Sequence, residues 1–139
     1  MNAVIDAVQA ALAAEYAAVY GYGVVGGHLT GSRQADARQG YDAHRARRDA
    51  LVRTVADLGA SPAAEPVGYT LPFSVTGPES AARLAAYVEE HVAGAYGDVV
   101  RTALGGLRQD AASAMRDAAV RAVRWRGGSV AFPGLAERG

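Results

Sequence analysis

The stretch Tyr41-Asp42-Ala43-His44-Arg45-Ala46-Arg47-Arg48-Asp49 restricts the folds open to this chain more than any other. At about 100° per residue, Tyr41 and the downstream Leu51, Val52, Val55 and Leu58 mark one apolar stripe of a helix. His44 and Arg48 fall inside that stripe. A polar or ionised group turned toward a core is costly unless it is partnered, so other segments must bring carboxylates to the same level. Glu15, on the apolar stripe of a first helix, and Glu89, at the edge of a third, are the candidates. The expectation is a buried polar cluster of Glu15, Tyr41, His44, Arg48 and Glu89.

The helices around that cluster follow from spacing and punctuation. Asn2 can cap a first helix in which Val4, Val8, Ala11, Leu12, Glu15, Val19 and Tyr22 recur at three- and four-residue intervals, and Gly26-Gly27 ends it. Gly21 and Gly23 inside this pattern are expected to mark close helix packing. Ser32 is the expected cap of a second helix running to Leu58, stopped by Gly59. Between Ala60 and Pro78 the composition changes: Pro62, Pro66, Pro72 and Pro78 alternate with Tyr69, Leu71, Phe73 and Val75. Apolar residues among prolines predict an ordered segment lying on the bundle surface. Glu79 or Ser80 opens a third helix built on Leu84, Val88, Val92, Ala95, Tyr96 and Val99, with Gly105-Gly106 as its stop. A fourth begins near Leu107 and uses Ala111, Ala114, Met115, Ala118, Ala122 and Trp125 before Gly127-Gly128. The tail after it carries Val130, Phe132 and Leu135 and is expected to dock back onto the bundle.

An all-α protein is therefore expected, and the alanine-dominated hydrophobic share of 50% suits closely packed helices. The 139 residues make one domain, 1–139. Short, long and short connections describe a four-helix bundle with one crossover, the ferritin-like arrangement; a plain up-down bundle is the alternative. With 14 basic and 14 acidic residues the formal net charge is +0, which leaves no global field to attract nucleic acid or an anionic membrane. There is no Cys, so thiolate metal sites and disulfides are excluded. No basic leader and no run of about 18 uninterrupted apolar residues occurs, and the reading is a soluble, cytoplasmic protein.

In a bundle of this kind a carboxylate-bridged di-iron centre takes one Glu from each of two helices and a Glu-x-x-His pair from each of the other two. Here Glu15 fits the first-helix position, but the second helix reads Tyr41-x-x-His44, with Tyr in place of Glu. The third offers Glu89, and the fourth nothing inward, since Asp117 lies off its apolar face. Arg48, one turn from His44, would repel a dication and suits a carboxylate partner better. No metal or other cofactor is expected; the alternative is a reduced iron site on Glu15, His44 and Glu89. The hydroxyls of Tyr16, Tyr20, Tyr22, Tyr87 and Tyr96 are expected at the rim of the core, and His28 and His91 outside any site.

The chain resembles an actinobacterial ferritin-like family of uncharacterised function. The resemblance rests on Ala-Ala-Glu-Tyr-Ala-Ala-Val-Tyr-Gly-Tyr-Gly at 13–23, Tyr-Asp-Ala-His-Arg-Ala-Arg-Arg-Asp-Ala-Leu at 41–51 and Tyr69-Thr70-Leu71-Pro72-Phe73. It implies a ferritin-like fold and a dimer, and it carries no activity to transfer. A homodimer is expected independently, because Ile5, Tyr16 and Tyr20 widen the first helix's stripe, as Tyr96 and Val100 widen the third's. Two functions fit: a non-enzymatic module that dimerises or binds a ligand or partner after loss of the di-iron site, or a metalloprotein or oxidoreductase with a reduced carboxylate and His site.

Overall fold

The computed structural model describes residues 2–127. Four helices follow one another: α1 (Ala3–Gly26), α2 (Gly31–Asp57), α3 (Pro78–Thr102) and α4 (Gly105–Trp125). No strand occurs among the described residues. Asn2 caps α1, its Oδ1 accepting from the amides of Val4 and Ile5 at 3.1 and 3.2 Å. At α3 it is Ser80 that supplies the cap from within the first turn, its Oγ accepting from the amides of Thr76 and Gly77 at 2.8 and 3.2 Å. Two expected boundaries move. α2 begins at Gly31, so Ser32 is inside the helix and caps nothing, and Gly105-Gly106 opens α4 after α3 has ended at Thr102. Gly105 sits at φ +62, a left-handed conformation that glycine adopts without steric cost, and the reversal it makes belongs to the second helix of the pair. The tail from residue 128 onward lies outside the described residues.

Side-chain pairing fixes the helix directions. Glu15 meets His44 while Tyr22 meets Gly40, so α1 and α2 are antiparallel. Tyr22 reaches Glu89 while Tyr96 reaches Glu15, so α1 and α3 are antiparallel as well. Gly97 faces Met115 and Arg126 pairs with Glu90, which makes α3 and α4 antiparallel. It follows that α2 and α3 run parallel, and residues 58–77 return the chain along the bundle. This is a four-helix bundle with one crossover; the up-down alternative is set aside.

The crossover is held to the outside of α1 and α3. Gln9 donates to the Ser61 carbonyl at 2.7 Å and accepts from the Ala63 amide at 2.8 Å. Tyr16 donates to the Ala63 carbonyl at 3.0 Å. Tyr69 stacks on Tyr20 at 4.9 Å, and Phe73 meets the Tyr87 edge at 6.2 Å with the Arg83 guanidinium 4.6 Å above it. Much of the wide apolar face of α1 is thus covered within the chain, and Tyr96 is turned into the core at 3% exposure. α1 is long and apolar enough, by length and composition, to cross a membrane; here its inward face, with Glu15 in the middle, is buried in the bundle. Of its two interior glycines only Gly21 is closely packed, with Val88 Cγ2 2.9 Å from where a Cβ would stand; Gly23 faces open space.

Candidate functional site

Glu15, His44 and Glu89 are the buried charged or polar residues among those described, at 0, 1 and 0% exposure. Each is placed by a different helix, α1, α2 and α3. His44 Nδ1 lies 2.5 Å from Glu15 Oε1, and Nε2 lies 2.9 Å from Glu89 Oε2. Each ring nitrogen thus faces a carboxylate oxygen, an arrangement that the imidazolium, with a donor on both nitrogens, satisfies in full. Burial alone would lower the His44 pKa, but the hydrogen bonds and charges of Glu15 and Glu89 outweigh it and raise the value from 6.5 to about 9.

Two tyrosines complete the network. Tyr96 donates to Glu15 Oε2 at 2.6 Å, Tyr22 donates to Glu89 Oε2, and Trp125 Nε1 donates to the Tyr22 oxygen at 2.8 Å. The order Tyr96, Glu15, His44, Glu89, Tyr22, Trp125 passes through all four helices. On α1 and on α3 a glutamate is followed seven residues later by a tyrosine, and each tyrosine serves the other helix's glutamate. Burial, then the adjacent carboxylate, pushes both phenol pKa values well above 10, so both stay neutral donors. Glu89 Oε1 is buried with no partner.

Of the five residues expected in the cluster, the structure brings together Glu15, His44 and Glu89 and leaves two outside. Arg48 is partly exposed and bonds its neighbour, with Nε 3.0 Å from Asp49 Oδ1. His44 and the tyrosines already occupy the carboxylates, and an outward guanidinium escapes the desolvation that burial would impose. Tyr41 is half-buried, with the Arg45 guanidinium 5.6 Å from its ring centre. Conversely, Tyr22 and Tyr96, expected at the rim, hold their hydroxyls in the centre. The seven-residue interval, two helical turns, was the signal that placed each on its glutamate's face. His28, in the turn after α1, bonds the Val24 carbonyl, and His91, on α3, bonds the Tyr87 carbonyl one turn before it; both lie outside the centre.

The donor set does not fit a dinuclear carboxylate centre. α4 turns Ala111, Ala114, Ala118 and Ala122 inward and gives no ligand, while Asp117 is taken by Arg47 at 2.8 Å. For His44 to ligate, it would have to lose a proton held to about pH 9 and leave one of its carboxylates. Of the carboxylate oxygens only Glu89 Oε1 is uncommitted. Among the described residues no group of three such side chains is placed to hold a metal ion.

A four-helix bundle locked by a buried Glu, His and Tyr network is the class that fold and site define. Within it, the chain belongs to the family described as Domain of unknown function (DUF4439), whose model matches residues 7–137. It is similar to a solved structure, that of a conserved hypothetical protein, rv2844, from Mycobacterium tuberculosis, at 33% identity and a TM-score of 0.87, covering 90% of this chain and 96% of that one. No curated protein matches the sequence.

Proposed function

We propose that the protein is a non-enzymatic, ferritin-like binding module whose inward Glu and His positions serve as a structural lock and no longer as metal ligands. The observation that carries this reading is the double engagement of His44, with carboxylates at 2.5 and 2.9 Å on its two nitrogens. An imidazolium cannot coordinate, and a neutral imidazole there would leave one carboxylate facing a lone pair. The network joins side chains from all four helices through buried hydrogen bonds, which supports a role in holding the helices together. Binding then falls to the outer clefts and, for a second copy of the chain, to the surface beside the crossover where Tyr20 and Tyr87 remain 41 and 38% exposed.

The test is elemental analysis of protein purified without chelators, paired with nitrogen NMR of His44. Less than a tenth of an equivalent of iron, manganese or zinc and two protonated ring nitrogens at pH 7 are expected. One equivalent of metal on His44 would establish the alternative, a reduced metal site on Glu15, His44 and Glu89.

A further inference from the structure

Three of the four helix seams are closed by direct backbone approach: α1 with α2, α1 with α3, and α3 with α4. The seam between α2 and α4 is not. No Cα of α2 comes within 8 Å of one of α4 among the described residues. Long side chains span the gap instead. Arg47 reaches Asp117 at 2.8 Å, and Arg33 lies 4.5 Å over the Trp125 ring.

Beside the Arg47 bridge is a cavity of about 170 Å³, the liquid volume of roughly five or six waters. Its walls combine three chemistries. Arg47 offers a guanidinium of which Asp117 engages one N–H of five. Asp110, from α4, offers an exposed carboxylate. Leu51, Val99 and Leu107 are apolar. Tyr96 also lines the cavity, while its hydroxyl is committed to Glu15 in the core.

We propose that this cleft binds a small aliphatic zwitterion of the amino-acid class, its carboxylate on Arg47, its ammonium on Asp110 and its hydrocarbon against Leu51, Val99 and Leu107. An anion alone would meet Asp110 and a cation alone would meet Arg47, so the pair of opposite charges selects a molecule carrying both. This inference rests on the binding-module reading given above. It fails separately from it, since metal analysis decides the one and ligand titration of metal-free protein the other.

The experiment is a titration of the full chain with L-leucine, 4-methylpentanoate and 3-methylbutylamine, followed by amide NMR and calorimetry. Leucine should saturate with a dissociation constant of 1 mM or tighter and shift Thr54, Tyr96 and Leu107. Each analogue missing one charge should bind at least tenfold more weakly. Asp110→Asn, at an exposed position, should keep the fold and weaken leucine at least tenfold while leaving 4-methylpentanoate unchanged or improved. No saturable binding of leucine, equal binding of all three compounds, or leucine affinity unchanged in Asp110→Asn would each overturn the proposal.

Discussion

Gly40→Ala is a sharp test of how the centre is built. A Cβ at position 40 would stand 2.5 Å from Tyr22 Cε1, 2.6 Å from Cζ and 3.0 Å from the hydroxyl oxygen. The ring cannot give way freely, because its oxygen is bonded to Glu89 and to the Trp125 indole. Overpacking of this kind costs about 1–3 kcal/mol, and loss of a hydrogen bond to a charged group about 1.5–3 kcal/mol. Replacing a mid-helix glycine by alanine returns about 1 kcal/mol. The net expectation is a loss of about 1.5–5 kcal/mol. Gly23→Ala is the matched control: it too is a helix-interior change, but nothing lies within 4 Å of the new Cβ, so it should stabilise by about 0.5–1 kcal/mol. Urea unfolding followed by the fluorescence of Trp125, the one Trp in the chain, measures both and also reports the indole's local bond. If Gly40→Ala proves as stable as the parent, Tyr22 is not seated against α2 and the crossed network is wrong.

Linkage gives a second expectation. His44 has its pKa raised from 6.5 to about 9, so its stabilisation is complete below about pH 6.5 and fades as pH rises through about 9, a change on the order of 3 kcal/mol. Unfolding measured at pH 6, 8 and 9.5 checks it, and a flat profile to pH 9.5 refutes it. Tyr22→Phe and Tyr96→Phe each strip a donor from a buried glutamate and should cost about 1–3 kcal/mol apiece, read by chemical denaturation. Arg48→Ala, by contrast, removes only a partly exposed pair with Asp49 and should cost less than about 1 kcal/mol; a loss above 3 would return Arg48 to the core. His44→Ala leaves Glu15 and Glu89 without their shared cation and should lower stability by about 3–5 kcal/mol, and a loss under 1 would contradict the lock.

Much of this was legible from the residues, for identifiable reasons. Apolar recurrence at helical spacing located all four helices, and the prolines between residues 60 and 78 marked the crossover. The same spacing put Glu15 and His44 inward, where they meet. It failed for Arg48, because a stripe position fixes only the direction of Cβ, and a flexible three-methylene stem lets the guanidinium leave the core. Tyr22 and Tyr96 were misplaced for the opposite reason: a phenol is as compatible with a rim as with a buried acceptor, and only knowing that two glutamates lacked donors decides between them. The open α2 and α4 seam depended on interhelix distance, which no periodicity encodes.

The crossed exchange between α1 and α3 bears on a question that alanine-rich bundles face: what stops one helix from sliding along another. Rows of alanines are nearly smooth, and a shift by one turn, about 5.4 Å, would bring small side chains against small side chains again with little penalty. It would not spare the polar pairs. Because Glu15 and Tyr22 run one way and Glu89 and Tyr96 the other, a displacement in either direction parts both bonds at once, and His44, gripped on both sides from α2, would lose at least one carboxylate as well. The three helices thus have a single axial alignment in which every buried charge is answered, and the polar centre acts as the key that indexes them.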